Sequence, residues 1–78
     1  MIRTKVMTIK VYSIPDVSTF VAKAIKVDDD ITVKQGRYVI DGKSLMGVFS
    51  LDLTREIVVE YPENAFEFED FIKNFKAE

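Results

Sequence analysis

Two hydrophobic periodicities take turns along this chain, and their alternation restricts the fold more than any other feature. In residues 4–11, Met7, Ile9 and Val11 alternate with Thr8 and Lys10. Period two with β-branched residues predicts a strand with one buried face. The period then changes to 3.6. Val17, Phe20, Val21, Ala24 and Ile25 recur at i, i+3, i+4, i+7 and i+8, one buried stripe on a helix reaching Lys26. Ser13 stands where a helix cap belongs, and Asp16 follows at capping-box spacing. Pro15 falls in the first turn, where a missing N–H costs little. Lys23 and Lys26 suit the negative pole of the helix dipole.

Asp28-Asp29-Asp30 ends that helix. Residues 31–34 and 37–41 read as short strands around the turn signal Gln35-Gly36, a hairpin, and Asp41-Gly42 breaks the second strand. Residues 43–50 predict a short helix with Ser44 as its cap. Gly47 weakens that helix by roughly 1 kcal/mol relative to Ala. Residues 55–61 hold the continuous run Ile57-Val58-Val59 and predict a fourth strand, central or well covered. Pro62-Glu63-Asn64 is a break, with Asn64 and Glu67 at capping-box spacing. Phe68, Phe71, Ile72 and Phe75 form the last helical stripe. The predicted order is β-α-β-β-α-β-α. Strands interleaved with helices at this length predict an α+β fold, one antiparallel sheet with helices on one face.

Seventy-eight residues suffice for one domain spanning 1–78. A domain of this size buries only roughly 60% of its unfolded surface, so function is expected on the surface or at a helix end rather than in a deep cleft. Net charge is −2, from 13 acidic and 11 basic residues that are scattered through the chain, which argues against nucleic-acid binding. With no cysteine there is no disulfide or thiolate metal site. No apolar run approaches the ~18 residues of a membrane span. Met1-Ile2-Arg3-Thr4-Lys5 lacks a signal-peptide core, and a cytoplasmic location is expected. Without histidine or cysteine, neither a Ser-His-Asp nor a Cys-His constellation can form. The expectation is a protein that is not an enzyme and carries no cofactor.

One segment is more specific than the order of elements. Ile31-Thr32-Val33 is followed, nine residues on, by Lys43-Ser44-Leu45-Met46-Gly47-Val48-Phe49-Ser50-Leu51. This run resembles the second motif of the HPr family, the histidine-containing phosphocarriers of the bacterial sugar phosphotransferase system. Phe20-Val21-Ala22-Lys23-Ala24 resembles that family's first helix. The resemblance implies an open-faced sandwich, a four-stranded antiparallel sheet covered on one face by three helices. Family members carry their phosphorylated histidine at the cap of the first helix, with an arginine two residues later and then a proline. Matched on Phe20-Val21, Ser13 takes the histidine position, Pro15 the arginine position and Asp16 the proline position. Phosphohistidine chemistry is therefore impossible here. Asp16 adds negative charge to a first turn that would otherwise attract phosphate. The second motif is intact. In relatives from low-GC Gram-positive bacteria its serine is phosphorylated by a dedicated kinase, which makes Ser44 the candidate. Apolar residues around the short helix dock partners in those relatives; here they are Leu45, Met46, Gly47 and Phe49.

Each candidate has a plainer reading. Ser13 with Asp16 needs nothing beyond helix capping. Ser44 is equally a cap, although capping and phosphorylation are compatible at one hydroxyl. Leu45, Met46 and Phe49 are either core or an adaptable apolar patch. Asp28-Asp29-Asp30 lacks the later Gly and Glu of a calcium loop and reads as a solvated turn. Glu67 and Glu69 read as a solvated helix face, and Phe66 falls off its helix's stripe. The expectation is an HPr-like regulatory or protein-binding module, a monomer or weak dimer, that docks through the short helix. Phosphotransferase-system enzymes, an HPr kinase or a transcription regulator are the candidate partners. The alternatives are a carrier-type substrate phosphorylated on Ser44 or Ser13, or a self-assembling domain unrelated to sugar transport.

Overall fold

The first and fourth strands pair along their full length, and the rest of the sheet is built out from that pair. The computed structural model describes residues 2–77. The elements are β1 (Thr4–Ile9), α1 (Ile14–Ile25), β2 (Thr32–Gln35), β3 (Tyr38–Asp41), α2 (Leu45–Phe49), β4 (Ile57–Pro62) and α3 (Phe66–Ile72), then one 3₁₀ turn at Lys73–Phe75. The strands form a single antiparallel sheet in the order β1-β4-β2-β3. The α+β architecture expected from the alternating periods is the one observed.

Alternation along β4 assigns the two faces. Ile57, Val59 and Tyr61 are buried beneath the helices, together with Ile9 and Val33 from the flanking strands. Val6, Thr8, Thr32, Lys34, Val39, Val58 and Glu60 fall on the other face by register, away from the helices among the described residues. β4 is central, as its apolar run suggested, but covered on one side only. Its last residue, Pro62, sits where a missing N–H does no harm: the donor would point toward β2, which begins only at Thr32 opposite Glu60. The β2–β3 hairpin closes with Gln35 opposite Tyr38, leaving Gly36-Arg37 as a two-residue loop. Gly36 has φ +58°, the positive value that the first position of such a tight hairpin turn requires.

α1 supplies the middle of the helix layer. Val17, Phe20, Val21 and Ala24 are buried on it as expected. Burying each of the large side chains is worth about 1.5–3 kcal/mol. Phe20 meets Phe68 edge-on with ring centroids 5.5 Å apart, and Lys23 Nζ lies 5.9 Å from the Phe71 ring centroid. These contacts place α3 on one flank of α1. α2 packs against α1 and β3, and so takes the opposite flank. Ile25 is exposed, contrary to its predicted place in the stripe. At about 100° per residue it lies about 80° around from Val17, beyond the sheet-facing arc.

Three further expectations change. β1 ends at Ile9, not Val11, because the chain leaves the sheet there; Lys10 N–H donates to Phe75 O at 2.9 Å and Val11 is buried outside the strand. Asn64 does not cap α3. A turn closed by Ala65 N–H donating to Pro62 O carries the chain one residue further, and Ala65 takes the cap position without a side-chain bond. Glu69 is not on a solvated face: its side chain is 13% exposed. Lys5 Nζ donates to Glu69 Oε2 at 2.6 Å and Tyr61 Oη donates to the same oxygen at 2.7 Å. This knot ties β1, β4 and α3 together.

The Lys5 ammonium, then the Tyr61 hydroxyl, hold the Glu69 carboxyl below its ordinary range. Burial, and next its bond to Glu69, push the Tyr61 phenol up. A carboxylate with a lowered folded pKa stabilises the fold above the ordinary carboxylate range, and that stabilisation disappears as pH falls through the lowered value. Glu69→Gln is therefore expected to lower stability at neutral pH and to converge with the parent as acid titrates the Glu69 carboxylate below the ordinary carboxylate range. Denaturant unfolding across that range checks it; equal stability at neutral pH would mean the knot contributes nothing.

Candidate functional site

The two hydroxyls singled out by the sequence both sit at helix caps, for the same local reason. Ser13 and Ser44 adopt extended backbone immediately before a helix, which turns Oγ toward the unpaired N–H groups of the first turn. Ser13 Oγ accepts from Asp16 N–H at 3.2 Å. Asp16 Oδ2 accepts in turn from Tyr12 N–H at 3.2 Å. The expected capping box is thus displaced by one residue, because the carboxylate reaches past the N–H of Ser13 itself. Pro15 lies in the first turn, as predicted. Among the described residues no arginine stands two places after the hydroxyl, and the carboxylate of Asp16 occupies the turn that an incoming phosphate would use. As built, this end of α1 holds a helix cap.

The second cap is firmer. Ser44 Oγ accepts from Gly47 N–H at 3.1 Å, and Val48 N–H donates to Ser44 O at 3.0 Å. Ser50 Oγ closes the far end on Gly47 O at 2.5 Å. Lys43 does not stand free beside Ser44. Its ammonium donates to Val27 O at 2.6 Å, a carbonyl left open beyond the end of α1. That bond ties the start of α2 to the end of α1.

Of the side chains on α2, only Val48 is buried. Met46 is 84% exposed, and Leu45 and Phe49 are exposed beside it. Gly47 is half-buried and serves packing: a Cβ there would lie 2.7 Å from Ile40 Cγ2 on β3. The helix has to ride close over the strand, which accounts for a glycine that costs helix propensity.

No protein-family model and no curated protein sequence matches this chain. A solved structure does. The crystal structure of the phosphocarrier protein HPr from Bacillus anthracis strain Ames superposes with a TM-score of 0.66, covering 96% of this chain and 98% of that one, at 18% sequence identity. The fold is HPr-like. The likeness extends to the order of the elements and to one sheet open on one face.

Within this HPr-like frame, the exposed apolar surface is larger than the sequence suggests. Ile14 and Ile25 are exposed. At 100° per residue they lie about 60° and about 80° from Val17, on the flank of α1 away from α3 and toward α2. Ile25 is at the end where Lys43 ties α2 down. The exposed apolar residues of α2 therefore have neighbours of like character on α1. Ile25 matches the helical stripe and so reads as core; only the placement of α3 and α2 tells the covered arc from the bare one.

Gly47→Ala tests the close approach. Alanine gains about 1 kcal/mol of helix propensity, but a methyl driven into a β-branched side chain typically costs about 1–3 kcal/mol. A net loss of stability is expected in chemical denaturation, and a net gain would mean that Ile40 yields.

Proposed function

We propose that this chain is an HPr-like binding module without phosphohistidine chemistry, which docks a protein partner through the apolar surface of α2. One observation carries the reading: Met46 stands out of a five-residue helix that buries only Val48, flanked by Leu45 and Phe49. Flexible methionine and aromatic side chains at a surface suit a partner that packs against them by adaptation. The absence of histidine from the sequence removes the family's carrier group, while the second motif remains. Protein partners of the phosphotransferase type, a kinase of HPr or a transcription regulator, remain the candidates to try.

Ser44 is the proposed switch. A phosphoryl group would bring about −1.5 to −2 charges to the edge of the apolar patch and keep an oxygen in place to accept from Gly47 N–H. It would also compete with Val27 O for the ammonium of Lys43, coupling the modification to the tie between α1 and α2.

Two measurements test this. Incubation with an HPr kinase and ATP should add one phosphate by mass spectrometry, absent in Ser44→Ala; no phosphate on either protein removes the switch. Met46→Glu combined with Phe49→Ser should weaken binding to a captured partner by at least about tenfold, with amide spectra showing the variant folded. Binding that survives the double change rules out docking through α2.

A further inference from the structure

The sheet treats its two edges differently. At the β1 edge, residues 75–77 return and pair. Ala77 N–H donates to Thr8 O and Lys10 N–H to Phe75 O, both at 2.9 Å, with a bridge between Ile9 and Lys76. At the other edge, β3 pairs with β2 on one side and with nothing on the other among the described residues. The edge is short and ends in a charge at Asp41, but its middle, Tyr38-Val39-Ile40, contains no lysine, proline or inward charge. Tyr38 is 60% and Val39 66% exposed.

The backbone of this edge is set for a further strand. Gly42 N–H donates to Ile31 O at 2.7 Å, which marks Ile31 and Gly42 as a hydrogen-bonded pair of the β2–β3 ladder. Such pairs alternate in an antiparallel ladder, so Val33 with Ile40 and Gln35 with Tyr38 are the next two. The N–H and C=O of Val39 therefore point outward, as does the N–H of Asp41.

We propose that β3 is a self-association edge, where a second copy of this chain adds antiparallel with the twofold axis through Val39. That register makes the strand complementary to itself. Val39 faces Val39 of the second copy and exchanges both backbone bonds with it. Tyr38 faces Ile40, an aromatic against a β-branched residue, on the helix side. Arg37 lies across from Asp41 at both ends, two pairs of opposite charge. Neither residue has an ion-pair partner among the described residues, and Asp41 uses only Oδ1, accepting from Lys43 N–H at 2.9 Å. A shift by one residue would put open-face side chains opposite helix-face ones. The strand has four residues, so the contact is smaller than a stable dimer interface and the association is weak and concentration-dependent. The proposal uses the backbone edge of β3 and not the outward side chains of α2, although α2 rides over Ile40 of the same strand.

Sedimentation equilibrium of the full chain should show mass rising toward that of a dimer with concentration; a constant monomer mass up to about 1 mM overturns the proposal. Charge exchange then tests the register. Arg37→Asp sets carboxylate against carboxylate at both ends of the paired strands, and Asp41→Arg sets guanidinium against guanidinium. Each variant alone should associate at least about tenfold more weakly, while an equimolar mixture regains the parent affinity by restoring both charge pairs. Amide spectra confirm that each variant is folded. Variants that dimerise as well as the parent, or a mixture that stays monomeric, overturn the proposal. Val39→Cys offers a reading independent of charge, since the chain has no other cysteine. It should oxidise to a disulfide-linked dimer faster than Met46→Cys; the reverse order places self-association on α2 and overturns the proposal.

Discussion

Everything in this fold hangs from the inward side chains of one strand. β4 lies between β1 and β2, and its Ile57, Val59 and Tyr61 form the floor on which α1 and α3 rest. Tyr61 meets Phe68 edge-on at 5.9 Å, and Phe68 meets Phe20 at 5.5 Å, so three aromatic rings run from sheet to helix layer in one contact chain. The phenol at the start of that chain would be an expensive group to bury alone. Glu69 and Lys5 resolve this by giving the hydroxyl an acceptor and the acceptor a counter-charge. A polar connection between sheet and helix layer thus sits where the largest side chain of β4 needs it.

Covering one face of the sheet has a functional corollary. Three helices must share the width of four strands, and α2, the shortest, is the one that cannot bury its whole circumference. Its apolar residues are then divided by geometry: Val48 faces the core, while Leu45, Met46 and Phe49 face outward. Gly47 lets the helix sit close enough to β3 for Val48 to reach the core at all. The exposed patch and the close packing beneath it are two sides of one arrangement. The α1 cap, by contrast, uses Ser13 and Asp16 to satisfy its own backbone.

Most of the architecture is legible in the sequence because strands and helices announce themselves by period. All four strands, the three helices and both serine caps follow from residue spacing. Most of the failures depend on a neighbour distant in sequence, and one on a local turn. Ile25 fits a helical stripe, but whether 80° from Val17 is covered depends on where α2 and α3 lie. Glu69 looks solvated among acidic neighbours until β1 delivers Lys5 from 64 positions away. Asn64 and Glu67 have capping spacing, but the turn that follows Pro62 decides which residue caps. Lys43, adjacent to Ser44 in sequence, is committed to the end of another helix. For the candidate site, the motif locates the helix and its cap, and only the packing separates the outward residues from the inward one.

The return of residues 75–77 to β1 also bears on how the domain comes into being. β1 is the first of these elements to be made, yet its partners on both sides come late: β4 on one edge, after every other strand, and residues 75–77 on the other. A growing chain therefore carries an unpaired, half-apolar strand while every element between them is synthesised. Contacts of such long sequence separation must close loops before they are rewarded, which slows folding relative to a helical protein of equal size. The hairpin of β2 and β3 with the helices around it can begin to associate, but the sheet has no centre until β4 arrives. Completion waits for residues 75–77, so the domain assembles as a whole rather than piece by piece as it emerges.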